Sequence, residues 1–369
     1  MTRQALGPAY CAPTLDDPGL ERGRANRPCR GAGLGVDGPV EARFGGGGRP
    51  DDIDAVFRVA RIDAIDGEMR PTCRRAAGLA IRAETAKLVT GRNGGARRMA
   101  EFGRILITGA AGSLGGHLRT GLAHLADRVR LVDVKPMGAA AAHEEIVECD
   151  LSDRSAAMEV TRGCDAILHF AGHPREQTFE EIVADTLPAA YHVYEGARLG
   201  GCRRVVYASS IHAVGFHGVE DVPDTRAAHR PDTFYGLTKT FVEDLGSLYW
   251  DKFGVETVAL RICSCFPEPA DRRMLWSWLS FDDCVRLAEA ALTAPRVGFS
   301  VVYGTSDNAQ RGVSNAHATH IGFRPKDSAD GFAAKVMAAT DTPDPNAVAT
   351  RVVGGGFAAT GHPDDGNRR

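Results

Sequence analysis

From residue 103 onward, short apolar runs alternate with longer segments in which apolar residues recur at helical spacing. The apolar runs predicted as strands are 105–108, 129–132, 145–149, 166–170, 204–208 and 257–262. The segments predicted as helices between them include 115–125, 154–162, 179–199 and 235–253. Strands that alternate with helices along a chain are typical of an α/β protein with a doubly wound parallel sheet. The pattern therefore predicts this fold class for residues 99–369.

The part of the chain after residue 261 is predicted to cover the substrate. Residues 281–293 have the apolar spacing of a helix, and residues 301–304 are predicted as a strand of this small C-terminal region. Glycine and proline at Gly298 and Pro325 mark loops. We expect the substrate-binding part to lie mainly here.

A glycine motif follows the first predicted strand. Gly109, Gly112 and Gly115 are spaced three residues apart between an apolar run and an amphipathic helix. Such glycines let the backbone approach a pyrophosphate, whose charge the free N–H groups of the helix's first turn stabilise. The order of strand, turn and helix predicts the Rossmann dinucleotide-binding fold.

An acidic residue supports this interpretation. Asp133 ends the second predicted strand and lies 18 residues after Gly115, close to the ~20 at which the ribose-binding carboxylate is expected. A carboxylate there accepts hydrogen bonds from the ribose hydroxyls and repels a 2′-phosphate. The predicted cofactor is therefore NAD rather than NADP.

A second group of candidate residues lies downstream. The strand at 204–208 is followed by Ser209 and Ser210, and Tyr235 and Lys239 stand four residues apart on a predicted helix. Residues at this spacing share one helix face. The field of the ammonium favours the phenolate, and the ribose of a bound cofactor can add a hydrogen bond to it, so we expect the pKa of Tyr235 to move down from about 10 toward neutrality.

These elements resemble those of the extended short-chain dehydrogenases/reductases. Asp150 and Leu151 resemble the adenine-edge contact of that superfamily, and residues 169–172 resemble its cofactor wall. The resemblance implies that NAD is bound by Gly109, Gly112, Ser113, Leu114, Gly115, Asp133, Asp150, Leu151, Ala171, Gly172, Tyr235, Lys239 and Cys263.

A closer resemblance is to the bacterial uronate dehydrogenases. It covers residues 103–360 and is most specific in the C-terminal half. The similar segments are 108–112, 147–151, 250–254, 261–265, 267–269, 273–275, 302–306, 322–327 and 343–346. The resemblance implies NAD-dependent oxidation of the anomeric carbon of glucuronate or galacturonate to an aldarolactone.

The same resemblance implies roles for individual residues. Tyr235 matches the general base, Lys239 the partner that lowers its pKa, and Ser210 the hydroxyl that orients the reacting oxygen. Arg273 matches the arginine that binds the sugar carboxylate, a task that suits a guanidinium fork. The remaining substrate-contacting positions are those of Ser210, His212 and Ser264.

Three positions depart from the family's pattern. Ile211 replaces an asparagine that contacts sugar hydroxyls, Pro174 replaces a substrate-binding serine, and Thr186 replaces an asparagine near the active site. If Ile211 faces a sugar hydroxyl, that hydroxyl loses a partner. These changes bear on the identity of the substrate and leave the cofactor residues untouched.

Other functions stay open at this stage. In a related aldose or sugar-phosphate dehydrogenase, Arg272 and Arg273 would bind a phosphate. A regulatory protein that senses NAD would need no base, so an intact Tyr235 and Lys239 argue against it. A nucleotide-sugar dehydratase is disfavoured because the acid pair that elimination needs does not follow Ser210.

The composition of the chain is unusual mainly at the N-terminus. The chain has 369 residues and is 43% hydrophobic, which is ample for a full single-domain core. Residues 1–98 carry 17 Lys and Arg against 12 Asp and Glu, a net charge of +5 compared with −3 for the whole chain. They also hold 16 Gly and 7 Pro, a share close to that of disordered sequence. We expect residues 1–98 to be a disordered tail or an extension upstream of the true start at Met99.

The remaining residue types limit the partners. The nine cysteines show no paired framework, which favours free thiols in the cytoplasm. His169 and His173 straddle a strand end, so we predict no metal site. No apolar run approaches the ~18 residues of a membrane span. The resemblance to the uronate dehydrogenases implies a small sugar acid as the partner. We predict no nucleic acid and no membrane, and a homo-oligomer remains possible.

Overall fold

The computed structural model describes residues 100–368, so the predicted extension at 1–98 lies outside the described residues. The strands are β1 Phe102–Thr108, β2 Ala126–Asp133, β3 Glu144–Glu148, β4 Ala166–His169, β5 Arg204–Tyr207, β6 Glu256–Ile262, β7 Ser264–Cys265, β8 Trp278–Leu279 and β9 Phe299–Gly304. The α-helices are α1 Ser113–Gly121, α2 Arg154–Thr161, α3 Phe179–Gly200, α4 Phe234–Phe253, α5 Met274–Ser277, α6 Phe281–Thr293, α7 Ala333–Ala339 and α8 Val348–Arg351. Shorter 3₁₀ turns occupy Ala123–Leu125, Ile211–Val214, Thr319–Ile321, Ala329–Phe332, Gly355–Ala359 and Pro363–Arg368.

Seven parallel strands form the main sheet in the order β3-β2-β1-β4-β5-β6-β9. After β3 the chain crosses to the other side of β1, where Ile105 pairs with Ala166 and Thr108 with His169. The order of the strands thus reverses between β1 and β4. In open α/β sheets the ligand crevice lies at this reversal, outside the carboxyl ends of the strands.

The core covers both faces of the sheet. Ile105 and Ile107 pack with Leu118 of α1 and Leu287 of α6 on one face. The intervening residue Leu106 packs on the opposite face, with side chains of α2, α3 and α4. Strands buried on both faces are expected to be almost continuously apolar, as these runs are. The predicted doubly wound fold is confirmed.

The prediction for residues 301–304 was wrong in its placement. Strand β9 pairs with β6 as the seventh strand of the main sheet and does not belong to a substrate-covering region. Its apolar residues alternate between the two faces of the core, Val302 on one and Val301 on the other. The side chain of Asn315 caps the outer edge of β9, accepting from the Tyr303 N–H at 2.7 Å and donating to the Tyr303 carbonyl at 2.9 Å.

Two further elements differ from prediction. The strand predicted at 204–208 ends one residue earlier, at Tyr207, and residues Ile211–Val214 form a 3₁₀ turn. A small second sheet of β7 and β8 was not predicted, because each strand has only two residues. No helix within residues 100–368 is long and apolar enough to cross a membrane.

Candidate active site

The predicted glycine turn lies at the carboxyl end of β1 and cannot accommodate side chains. Gly109 has φ +71°, and a Cβ there would lie 2.6 Å from the carbonyl carbon of Phe170. A Cβ on Gly115 would lie 2.2 Å from the Gly109 carbonyl oxygen. Helix α1 then starts at Ser113 with Gly112 as a cap that offers no side-chain acceptor. The first-turn N–H groups, including that of Leu114, therefore have no side-chain cap competing for them and suit a pyrophosphate.

Asp133 lies directly beside this turn. Its Oδ2 accepts a hydrogen bond from the Ala111 N–H of the turn at 3.0 Å, and its Oδ1 accepts from the Lys135 N–H at 3.0 Å. The carboxylate is partly exposed and ends β2. Its position next to the glycine turn suits the binding of a ribose hydroxyl.

The other predicted cofactor residues stand at neighbouring strand ends. Asp150 is exposed and accepts from the Ser152 N–H at 2.8 Å, while Leu151 is buried. Beyond β4, the Ala171 N–H donates to the Thr108 hydroxyl at 3.2 Å, and Gly172 has φ +139°. Cys263 follows β6, where burial raises the pKa of its thiol to about 12 and keeps it neutral.

Tyr235 and Lys239 project from the first turns of α4. The Lys239 ammonium is buried, donates to the Ala208 carbonyl at 2.9 Å and lies 5.1 Å from the centre of the Tyr235 ring. Burial lowers the pKa of Lys239 to about 8, although Glu243 opposes this. The structure thus brings the predicted pair together next to the end of β5.

The predicted lowering of the Tyr235 pKa was wrong for this structure. Burial raises the pKa of Tyr235, and a hydrogen bond with the Ser210 hydroxyl only partly offsets the rise. The reason is that removal from water raises the free energy of the phenolate by more than the hydrogen bond with Ser210 lowers it. Ser210 itself follows β5, and its Oγ accepts from the His212 N–H at 3.3 Å.

His212 is held from three sides. Its Nδ1 lies 2.8 Å from Oδ2 of the fully buried Asp232 side chain. Its ring stacks on Phe357 with centroids 4.3 Å apart and meets the edge of Tyr235 at 5.7 Å. Sequence reasoning missed Asp232 and Phe357, which belong to no motif. The glycine run that includes Gly354, where a Cβ would collide with Asp232, was the available signal of close packing.

Arg273 and Ser264, two further predicted substrate residues, contact each other. Arg273 Nη1 donates to the Ser264 hydroxyl at 3.0 Å, while Nε and Nη2 both donate to the Val353 carbonyl, at 3.2 and 2.5 Å. The guanidinium also lies over the Trp276 ring at 5.1 Å. Burial lowers the pKa of Arg273 from its usual value, so it is not a solvated surface cation. Three of its five N–H groups are engaged, which leaves one on each terminal nitrogen.

The neighbouring Arg272 points elsewhere. Its Nε donates to the Thr340 hydroxyl at 3.2 Å, and its Nη2 donates to the carbonyls of Thr340 and Met337 at 2.9 and 3.3 Å. The two guanidinium groups therefore hold different segments and do not form a joint anion site.

The three departures from the family pattern occupy different environments. Ile211 is fully buried in an apolar cluster with Val214 and Trp276. Pro174 is exposed. The Thr186 hydroxyl is buried beside Gly172 and has no hydrogen-bond partner among the residues that the structure describes.

Taken with the fold, the glycine turn, the acid at the end of β2 and the Tyr–Lys pair define an NAD-dependent oxidoreductase of the Rossmann class. Residues 105–280 match the NAD dependent epimerase/dehydratase family. Uronate dehydrogenase from Pseudomonas putida is 46% identical over 263 residues, which are 70% of this chain and 97% of that protein. Its counterpart from Agrobacterium fabrum is 42% identical over 254 residues, 69% of this chain and 96% of that protein.

Solved structures agree with these relatives. Glucuronic acid dehydrogenase from Chromohalobacter salexigens has a TM-score of 0.70 at 44% identity, covering 72% of this chain and 99% of that one. A mutant uronate dehydrogenase from Agrobacterium tumefaciens, solved with NAD, has a TM-score of 0.68 at 41% identity over 70% of this chain and 98% of that one. The chain belongs to the uronate dehydrogenase family, as its sequence predicted.

Proposed function

We propose that this protein oxidises C1 of a hexuronate, glucuronate or galacturonate, to an aldarolactone with NAD. The observation that carries the proposal is the partly buried Arg273, which keeps one N–H on each terminal nitrogen. Two parallel donors match the two oxygens of a carboxylate. The carbonyl that Arg273 binds belongs to Val353, and the next residue, Gly354, abuts Asp232, which holds His212. The reacting carbon would lie at Tyr235, Ser210 and His212.

The chain's own residues fit the cofactor. The turn at Gly109 and Gly115 is so closely packed that a Cβ at either residue would strike backbone, and Asp133 adjoins it. These residues and the first turn of α1 would hold NAD, which supplies the hydride acceptor when it is bound. The carboxylate of Asp133 selects against a 2′-phosphate.

In the proposed reaction Tyr235, as phenolate, accepts the proton of the C1 hydroxyl while the hydrogen on C1 leaves with its electron pair. The C1–O bond then becomes the lactone carbonyl. Lys239, as ammonium, stabilises the phenolate, and the Ser210 hydroxyl orients the reacting oxygen. His212, fixed by Asp232, and Ser264 bind the sugar hydroxyls. Each role can be tested by substitution.

The alternative of a sugar-phosphate dehydrogenase is less well supported. It requires Arg272 and Arg273 to share one phosphate, yet the Arg272 guanidinium is bound to residues 337 and 340. The single guanidinium of Arg273 suits a singly charged carboxylate. An NAD sensor is disfavoured because the family consists of oxidoreductases and the Tyr–Lys pair is intact.

A substrate panel tests the proposal. Glucuronate, galacturonate, glucose, galactose and glucose 6-phosphate are each mixed with NAD, and the rate of NADH formation is followed by absorbance. We expect the uronates to give the highest kcat/KM. A preference for neutral or phosphorylated sugars would contradict the substrate assignment, and NAD binding without turnover of any sugar would indicate a sensor.

We also propose the cellular setting and the assembly. The six cysteines of the described residues carry free thiols, which suits the reducing cytoplasm. Leu237, Phe241 and Leu248 form an exposed apolar stripe on α4. A homo-oligomer would bury this stripe, and light scattering would measure the molecular mass of the assembly.

A further inference from the structure

The start of helix α4 is completed by a residue from a distant part of the chain. The first N–H groups of a helix have no partner within it. Thr233 satisfies one of them, since its hydroxyl accepts from the Gly236 N–H at 2.9 Å. The N–H groups of Phe234 and Tyr235 are satisfied by Glu176, whose Oε1 and Oε2 accept from them at 2.9 and 2.8 Å.

This cap is not a local one. Glu176 precedes Tyr235 by 59 residues and lies in the segment between β4 and α3. Both oxygens of the carboxylate are used, and a carboxylate at a helix N-terminus is favoured by the positive end of the helix dipole. The contact therefore fixes the backbone of Tyr235 to another segment of the cleft.

The segment that carries Glu176 also holds two predicted site positions. Gly172, four residues before Glu176, belongs to the predicted cofactor wall, and Pro174 stands at a predicted substrate position. A displacement of this segment would move Tyr235, and a displacement of Tyr235 would move the segment. The bidentate contact holds the two at a fixed separation.

We propose that Glu176 is a positioning residue that holds the Tyr235 phenol at hydrogen-bonding distance from the C1 hydroxyl. The proposal rests on the proposed function, in which Tyr235 is the base. Glu176 touches neither substrate nor cofactor in this role and acts only through the backbone of Tyr235. A shift of about 1 Å in a reacting group can cost roughly a hundredfold in rate.

The chain offers a matched control in Glu181. This glutamate forms a capping box with Thr178 at the start of α3, where its Oε2 accepts from the Thr178 N–H at 3.4 Å. It is thus also a helix-capping carboxylate, but its contacts are local and do not reach Tyr235. Removing the charge of Glu181 should lower the stability of the fold about as much as removing that of Glu176, but it should not move Tyr235.

The test is a rapid-mixing measurement of the first turnover, with glucuronate and NAD both saturating and in excess over enzyme. The rate constant for NADH formation reports the reacting geometry, whereas the amplitude reports the fraction of active enzyme. Glu176→Gln keeps one acceptor oxygen but turns an NH₂ toward the second N–H. We expect its rate constant to fall about tenfold with unchanged amplitude and NAD affinity. Glu181→Gln should keep the wild-type rate constant.

Glu176→Asp retains the charge but is too short to reach both N–H groups, so its rate constant should lie between those of wild type and Glu176→Gln. A reduced amplitude with a wild-type rate constant would show a merely structural role and overturn the proposal. Wild-type behaviour of both Glu176 variants would also overturn it. If wild type itself oxidises no uronate, the proposed function fails, and the same rate constants are then measured on the sugar that it does oxidise.

Discussion

At the scale of single residues, the environment of Tyr235 opposes the ionisation that its proposed role requires. Burial raises its pKa, while the reaction needs its phenolate. Lys239, with a pKa of about 8, is the cation nearest to it on α4. Turnover should rise as the pH increases from the acid side, because the phenolate fraction rises with pH, and the gain should end above about pH 8, where Lys239 loses its charge. A pH profile of kcat measures both limbs.

Tyr235→Phe should remove nearly all turnover. Loss of a general base typically costs roughly 10²–10⁴-fold in rate, and the phenylalanine ring preserves the packing against His212. NAD affinity, measured by a fluorescence titration, should stay near the wild-type value. Turnover close to that of wild type would refute the assignment of the base.

Asp133→Ala should relax the preference for NAD over NADP. The substitution removes the repulsion of a 2′-phosphate, so the ratio of kcat/KM for NADP to that for NAD should rise at least about tenfold, or about 1.4 kcal/mol. Asp133→Asn is the control, since it removes the charge but keeps an oxygen for the Ala111 N–H. Equal use of both cofactors by the wild type would contradict this role.

The sequence predicted some site residues and not others for a physical reason. Tyr235, Lys239 and the glycines are joined by short spacings that local structure fixes. Glu176 and Asp232 act across long separations, through a helix cap and a buried histidine contact. Such contacts depend on tertiary packing, which no local pattern encodes.

At the scale of elements, a buried ionic cluster joins α4 to β6. The Glu243 carboxylate is fully buried and accepts from Arg261 Nε and Nη2 at 3.0 and 2.8 Å. It also accepts from the Ser209 hydroxyl at 2.5 Å and lies 2.8 Å from His229 Nε2. The cluster therefore anchors the helix of Tyr235 to the strand end that carries Ser210.

Glu243→Gln should destabilise the fold by about 3–5 kcal/mol at pH 7, because it leaves the buried Arg261 without its counter-charge. Chemical denaturation measures the loss. Glu159→Gln, which removes an exposed carboxylate paired with Arg162, is the control and should cost less than about 1 kcal/mol. Equal losses of unfolding free energy in the two variants would contradict the proposed stabilising role of the cluster.

The same contacts predict an acid dependence. Hydrogen bonds from His229 and Arg261 outweigh burial and lower the pKa of Glu243 to about 2. A carboxyl whose folded pKa lies below its unfolded value of about 4.3 stabilises the protein above that value. This contribution should disappear as the pH falls from about 4 toward 2, and the fall should be shallower in Glu243→Gln.

The elements were predicted more accurately than their assembly. Helix α6 has its predicted bounds, and α4 begins one residue earlier than predicted. Strand β9 was recognised but assigned to the wrong region, because a short apolar run does not indicate which neighbour it pairs with. Pairing partners at the sheet edge are set by tertiary contacts.

At the scale of the whole molecule, the catalytic fold begins at β1 with Phe102, just after Met99. We propose that residues 1–98 are dispensable. A protein starting at Met99 should show the same unfolding midpoint and the same kcat and KM as the full chain. Loss of folding or of activity on truncation would show that the extension is part of the enzyme.

The most direct test of the central claim compares glucuronate with glucose in the wild type, Arg273→Ala and Arg273→Lys. Wild type should strongly prefer glucuronate. Losing two charge-assisted hydrogen bonds costs about 3 kcal/mol, so Arg273→Ala should raise the KM for glucuronate roughly a hundredfold. Arg273→Lys should recover only part of this, because an ammonium cannot bind a carboxylate bidentately.

In the same measurement NAD affinity and the low activity on glucose should change little in either variant. That result would place the substrate carboxylate at Arg273 and identify the protein as a hexuronate dehydrogenase. A wild type that prefers glucose or a phosphorylated sugar, or an Arg273→Ala variant that loses activity equally on both sugars, would contradict the account.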